Sequence, residues 1–422
     1  MKKNKKICVV LYSRRHFNPA GESELLGSSA GQIASTIYYK LKSQDDLELH
    51  YFDAFNHYEW KKLKVDILVS IVDNLPLSYK FFKPKELYVV AVNQHPLERL
   101  KIASESKKEL VPFSALSASD GIYQPFRILA KANGIVCVGN TVTINTYTKY
   151  LNHCKIVATT YKSVFSKAQS ELNNQSIKDV LVLMSSIGYR KGFDRFAREF
   201  DNDQEVLQEF NFHIVGEPEN EFWKETVDRI ISKNDNVYFY GWLDNESSEF
   251  LELLKKTRIA IFPTREEGMV GSLLEILDLG LVPLHTVNSG VDNTQGQLAL
   301  EPQRKSDLGL KLHALLNKTE EELSLIQKVQ VLDFDKQVSN TFDVAEQLFR
   351  LIMLNNPKAS KNRNFTQIVT IIRLMFVIPP RIQLRRFRLL YFHYWRSKLE
   401  MNRPRVFKHL KMIKNQILKR RP

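Results

Sequence analysis

Two glutamates eight residues apart, Glu267 and Glu275, flank the segment Gly268-Met269-Val270-Gly271-Ser272. An apolar run from Ile259 to Phe262 leads into them through Pro263. A buried strand that feeds a loop with two glycines and then a helix aims free backbone N–H groups, and the positive helix end, at whatever lies above the strand. That favours a phosphate. Carboxylates before and after the loop can accept from hydroxyls. Together these are the groups needed to hold a sugar joined to a nucleoside diphosphate. Ser272-x-x-Glu275 also has the form of a capping box, in which Glu275 would only satisfy amides at a helix start. The spacing alone leaves both uses of Glu275 open.

The elements that must position these groups alternate along the chain. In the first half, Ile7–Leu11, Leu47–Tyr51, Ile67–Ile71, Leu87–Val92 and Ile135–Val138 are short runs rich in Val and Ile, expected as strands. Ala30–Leu41 is expected as a helix, entered from the small-residue loop Gly27-Ser28-Ser29-Ala30-Gly31. After the polar stretch Ser166–Lys178, strands are expected at Val180–Met184, Phe212–Val215, Val237–Phe239, Ile259–Phe262 and Val282–His285. Helices fit at Phe193–Phe200, Phe222–Ser232, Glu246–Lys255 and Ser272–Leu279, and the series closes near Thr341–Leu354. Alternation of this kind implies α/β domains, each a doubly wound parallel sheet with helices on both faces. Such sheets take ligands at the carboxyl ends of their strands. The expected division is residues 1–165, residues 178–354 and an extension, 355–422, with the two α/β domains facing each other across a cleft.

The order of the motifs resembles that of the large retaining glycosyltransferase family 4, or group 1, which includes sucrose synthase and many bacterial polysaccharide enzymes. Arg190-Lys191-Gly192 follows the second domain's first strand, and another strand ends in Val215-Gly216. Then come Asn236-Val237-Tyr238-Phe239-Tyr240-Gly241-Trp242-Leu243, the Pro263–Glu275 segment and Gly280-Leu281-Val282-Pro283. The likeness covers roughly residues 5–354 and is strongest from Val180 to Asp292.

The resemblance implies the GT-B fold, two Rossmann-like domains with the active site between them. It gives Glu267 the donor sugar's hydroxyls and Glu275 the ribose. It aims the amides of Gly268, Met269, Val270, Gly271 and Ser272 at the sugar and diphosphate, and Lys191 at the diphosphate, with Gly216 in the donor site. In the first domain, Val89-Val90-Ala91-Val92-Asn93-Gln94-His95 resembles the family's strand-then-histidine segment, which makes His95 a candidate contact near the reacting carbon. The same histidine before a proline has a structural reading, as a loop residue. Gly27, Ser28, Ser29 and Gly31 resemble the family loop that passes the donor phosphates and acceptor, where only small side chains admit so close a backbone. Two positions depart from the pattern. Ser186 stands where the family usually has an arginine, and Val270 replaces the second glycine of E-G-x-G, with glycine displaced to Gly271. Arg190 could supply the missing charge, although its side chain, adjacent to that of Lys191, is expected to point another way.

The chain has 422 residues with 43% apolar and 26% charged content, values of a soluble globular protein too long for one ordinary core. Cys8, Cys137 and Cys154 have no metal-ligand spacing and are expected as buried thiols of a reducing compartment. Ile7–Leu11 is too short for a signal peptide and lacks a small-residue cleavage site before Ser13-Arg14-Arg15, so a first strand is expected. No acidic D-x-D cluster stands at a strand end, so neither metal nor cofactor is expected.

The net charge of +14 lies in the extension. Residues 361–422 hold seventeen Lys or Arg and a single acid, Glu400, while residues 1–360 carry −2. The apolar run Ile368–Ile378 is interrupted by Arg373 and is far shorter than the roughly 20 residues that span a bilayer. Beyond Pro379-Pro380, Arg385, Arg386, Arg388 and Arg396 interleave with Phe387, Tyr391, Phe392, Tyr394 and Trp395. Basic helices with aromatics lie well in anionic headgroups. Nucleic acid does not need so many large apolar groups, and packing on the second domain is the plain alternative. The expectation is a peripheral protein on the cytoplasmic membrane face that transfers a sugar, with retention, from a nucleotide-sugar to a glycan or lipid-linked acceptor. The competing expectation is a non-catalytic sugar-nucleotide-binding or scaffold protein on the same fold. A GT-B epimerase would need a water-activating carboxylate that the pattern does not single out.

Overall fold

The computed structural model describes residues 6–13, 29–53, 63–71, 75–105, 126–151, 153–160, 176–201, 205–244, 247–292, 299–300, 308–339 and 343–354. Gly27, Ser28 and the extension 361–422 lie outside them.

Two parallel six-stranded sheets follow one another along the chain. The first is built from β1 (Ile7–Ser13), α1 (Ser29–Lys42), β2 (Leu47–Asp53), β3 (Ile67–Ile71), α2 (Leu75–Phe82), β4 (Glu86–Ala91), α3 (Pro96–Glu105), α4 (Phe126–Leu129), β5 (Gly134–Val138), α5 (Thr141–Tyr150) and β6 (Lys155–Thr159). Its strand order is β2-β1-β3-β4-β5-β6. The second takes β7 (Ser176–Ile187), α6 (Phe193–Asp201), β8 (Asn211–Pro218), α7 (Glu221–Lys233), β9 (Val237–Gly241), α8 (Ser248–Lys256), β10 (Thr257–Phe262), α9 (Gly271–Asp278), β11 (Val282–Thr286), β12 (Ala299–Leu300), α10 (Leu308–Leu316), α11 (Glu320–Ser339) and α12 (Val344–Leu354). Its order, β12-β11-β10-β7-β8-β9, is the Rossmann order, with a reversal of direction between β7 and β10.

The central strands are apolar on both faces because both faces are covered. In β1, Val9 and Leu11 enter one core and Val10 and Tyr12 another. In β7, Val180 and Val182 face one core and Leu181 and Leu183 the opposite one. One buried cluster includes residues of both sheets, from Val136 and Val138 to Met269, Val270, Leu181 and Phe262, so the two domains share an apolar seam.

Every strand and helix expected between residues 7 and 354 is present, with ends moved by a few residues; the basic helices expected in the extension lie outside the described residues. β8 continues past Val215 to Pro218 because Gly216 takes φ +146, where a Cβ would overlap the carbonyl of Met184 on β7. β6 and β12 are edge strands, and β6 is largely half-buried, which weakens the apolar signal of a strand. The last helix differs from the expected division. α12 follows the second domain in sequence but packs on the first sheet. Its Glu346 pairs with Lys40 of α1 at 2.8 Å, Leu348 and Leu351 join the shared core, and Asp343 bridges Thr160 just past β6. Among the described residues no helix is long and apolar enough to cross a membrane.

Candidate active site

The reversal point of the second sheet has two loops above it. One follows β7 and carries Arg190, Lys191 and Gly192, and the other follows β10 and carries Pro263 to Val270. The loops touch. Arg265 donates its backbone N–H to the Arg190 carbonyl at 3.0 Å. Gly192 has φ +78, and a Cβ there would overlap the Pro263 carbonyl. The glycine after Lys191 is therefore demanded by the other loop's backbone. Arg265 holds the loops from beneath: it pairs with Asp194 of α6 and lies over the Tyr189 ring, 4.4 Å from its centre.

Glu267 is the centre of the cluster. Lys191 Nζ lies 2.8 Å from Glu267 Oε1, and the Arg190 guanidinium meets the same oxygen. Arg190 thus points toward Lys191's partner rather than away, because the turn after β7 does not keep strand alternation. Asn93, its amide turned so that nitrogen faces the carboxylate, donates to Glu267 Oε2 at 3.2 Å. Burial alone would raise Glu267; the charges of Arg190 and Lys191 outweigh it and hold the carboxylate below its ordinary value.

Its neighbour Glu266 goes the other way. Glu266 Oε2 accepts from Arg99 Nε of α3 at 2.7 Å, across the boundary between the domains. Burial outweighs Arg99 here and lifts Glu266 to about 7. Gly268 comes next and is lodged under the first domain. A Cβ on it would overlap the carbonyl oxygens of Val92 and Val138, which follow or end β4 and β5. Thr143 Oγ1 donates to the Gly268 carbonyl at 3.3 Å, and Asn140 donates to Val287 O at 2.9 Å.

The remaining expected donor residues separate. Val270 N–H is committed to the Ser289 carbonyl at 2.9 Å and cannot also serve a phosphate. Gly271 and Ser272 open α9, where first-turn amides lack intrahelical acceptors. The capping box is absent: Val270 occupies the cap position with no side-chain bond, and Ser272 is already inside the helix. Glu275 lies one turn along α9, half-buried. Burial and then Asp278 raise it to about 7. Gly216 is placed by its close approach to β7, and Ser186, at the position of the usual arginine, donates to Glu219 Oε1 at 2.5 Å. Ser29 and Gly31 begin α1.

His95 has a structural task. Its carbonyl accepts from Glu98 and Arg99, its Nδ1 accepts from Leu97 N–H at 3.2 Å, and Pro96 is the first residue of α3. It is a helix cap, fully buried, stacked on Tyr150 with ring centres 4.7 Å apart. Burial and the charge of Lys149 lower it to about 3, so the ring is neutral. This geometry favours the cap over a sugar contact.

Arg99, Glu266, Asn93 and Thr143 were not marked by the sequence. Asn93 had a signal, its place just past a strand end; Arg99 had none, being an ordinary helical arginine. Among the described residues no group of three or more His, Cys, Asp or Glu is arranged to hold a metal ion.

Residues 178–318 match the family of group 1 glycosyl transferases. No curated protein matches the sequence. The fold is shared with a UDP-forming α,α-trehalose-phosphate synthase from Burkholderia vietnamiensis, TM-score 0.55 at 11% identity, over 84% of this chain and 100% of that one. It is shared too with sucrose-phosphate synthase from Thermosynechococcus elongatus, TM-score 0.54 at 13% identity, over 82% and 98%. TarM of S. aureus aligns with TM-score 0.48 at 15% identity over 68% of this chain and 54% of its own, so the chain spans little more than half of that protein. Two parallel Rossmann-like sheets with charged groups at the strand ends between them define the GT-B class. Within this fold, residues 178–318, the larger part of the second domain, are the segment that resembles the group 1 glycosyl transferases.

Proposed function

We propose that the chain transfers a sugar from a nucleotide-sugar donor to a glycan or glycolipid acceptor with retention of anomeric configuration, in the synthesis of a cell-surface polysaccharide or glycolipid. The observation that carries this reading is the meeting of Arg190, Lys191 and Glu267 with the start of α9 at the reversal point of the second sheet. When the anomeric C–O bond breaks, the leaving nucleoside diphosphate gains negative charge. Arg190, Lys191 and the amides of Gly271 and Ser272 offer fixed positive charge and donors there, and in a water-poor site each such donor is worth roughly 3 kcal/mol. Glu267, oriented by the two cations and Asn93, accepts from the sugar's hydroxyls, and Glu275 from the ribose. In this reading no metal is required, His95 braces α3, and residues 361–422 hold the protein on the cytoplasmic membrane face.

The competing reading is a non-catalytic sugar-nucleotide-binding or scaffold protein, favoured by Ser186, whose hydroxyl serves Glu219 where the family usually has a cation. Purified protein with UDP-, GDP-, ADP- and dTDP-sugars, with and without membrane extract, separates the two. Nucleotide release from one donor that rises with extract and falls in Glu267→Ala is the expected result. Nucleotide binding with no release under any condition would establish the non-catalytic reading.

A further inference from the structure

Three consecutive residues of the β10–α9 loop are held by different domains. Glu266 is held by the first domain through Arg99, Glu267 by the second through Arg190 and Lys191, and Gly268 by the first again through Thr143. We infer that Arg99 is a positioning residue: its pair with Glu266 couples closure of the two domains to the placement of Glu267. The inference rests on the glycosyltransferase reading for its kinetic part and on geometry alone for its conformational part.

The pair is poorly suited to adding stability. The side chains of Arg99 and Glu266 are 11% and 4% exposed, and Glu266 Oε1 is buried with no hydrogen-bond partner among the described residues. A buried carboxylate that is only half satisfied costs free energy, and a buried ion pair seldom outperforms an apolar replacement. Such a pair does specify one arrangement of the groups it joins.

The first-domain end of the pair is firmly mounted. α3 is capped by His95, whose own N–H donates to Thr146 Oγ1 at 2.9 Å, and Tyr147 fixes the preceding segment by donating to Asn93 O at 3.0 Å. Further along α3, the Ile102 carbonyl accepts from Tyr189 of the second domain at 3.3 Å. Asn93, which orients Glu267 Oε2, belongs to the same strand-end segment. Moving the first domain away would withdraw Arg99, Asn93 and Thr143 together, leaving Glu267 with its two cations but without the groups that fix its direction.

The test uses the full chain with spin labels on exposed positions of α1 and α7, one in each domain, and compares wild type, Arg99→Gln, Glu266→Gln and the charge-exchanged R99E/E266R. Without added nucleotide, both single variants should give a longer and broader interdomain distance, and the exchanged pair should recover most of the wild-type distribution. On the preferred donor, Arg99→Gln should lose about 100-fold in kcat, the scale of a misplaced catalytic group, with the donor Kd nearly unchanged. A wild-type distance distribution in both single variants, or wild-type kcat in Arg99→Gln, overturns the inference. Glu266→Gln keeps the side chain's shape and carries the test if Arg99→Gln does not fold. If wild type releases no nucleotide from any donor, the proposed function fails, and the distance measurement still decides whether the pair controls closure.

Discussion

Lys191 Nζ stands 2.8 Å from Glu267 Oε1, with Arg190 on the same oxygen. The cation proposed for the diphosphate and the carboxylate proposed for the sugar are thus each other's counter-ions. A donor that enters between them meets one carboxylate already shared by two cations, a cluster with one positive charge left over and no buried group standing uncompensated.

Lys191→Ala should therefore leave the fold intact, since Glu267 keeps Arg190 and Asn93. Nucleotide release should fall about 100- to 1,000-fold, the usual effect of removing one fixed donor at a developing charge. Steady-state release together with the thermal midpoint checks this; a lowered midpoint with unchanged kcat would give Lys191 a structural role.

Glu275 predicts a pH dependence. Its pKa is raised from 4.5 to about 7 by burial and then by Asp278. Between those values the folded chain holds a proton that the unfolded chain has released, so stability falls as pH rises across this window and levels off above it. Glu266 adds in the same direction. Measured against Glu275→Gln at each pH from 5 to 8, which cancels the opposite contributions of the buried histidines, the wild-type urea midpoint should fall until about pH 7 and then level off. Nucleotide binding should strengthen as pH rises through 7 in wild type, because ribose hydroxyls donate to the ionised carboxylate, and this gain should be absent from the variant.

Gly268→Ala places a methyl group against the Val92 and Val138 carbonyls, and Gly290→Ala places one against the Gly268 carbonyl at φ +80. Rigid backbone on both sides leaves overpacking with no easy relief, at a cost of about 1–3 kcal/mol each. Differential scanning calorimetry should show a lower midpoint for both. Gly280→Ala is a control, since open space surrounds its Cβ position and only its φ of +84 is strained.

His95→Asn retains an acceptor for the Leu97 amide. It should keep nucleotide release within a few fold of wild type, while His95→Ala should lose about 1 kcal/mol of stability by losing the cap. A collapse of kcat in His95→Asn at an unchanged midpoint would restore a catalytic contact.

The proposed membrane role of the extension is tested by deleting residues 361–422 and sedimenting both proteins with anionic liposomes. Binding should be lost in the truncated chain and weaken with salt in the intact one.

The fold was legible because its signals are local. Short runs rich in Val and Ile marked the strands, and Pro263 through Ser272 marked the loop between a buried strand and a helix. That Lys191 and Glu267 share one site was implied by the order of motifs, but their direct ion pair was not. The Arg99–Glu266 pair was not legible, because 167 residues separate the partners and neither periodicity nor spacing links them. At Glu275 the spacing left two uses open, and the helix start removes one of them. Ser272-x-x-Glu275 has the form of a capping box, but Met269 and Val270 are drawn into the shared apolar core, which starts the helix one residue before Ser272. The direction of Arg190 depended on a turn whose course is set by Pro263, more than seventy residues away in the chain.

The return of α12 to the first sheet gives the molecule a mechanical asymmetry. The chain crosses between domains twice, after β6 and before α12, and the crossings meet where Asp343 bridges Thr160. Both connections between the domains therefore leave the first sheet at one place, beside the edge strand β6. Residues 355–422 follow directly from α12, so on the proposed reading a membrane contact made by them would anchor the first domain and leave the donor-binding domain tethered through that single place.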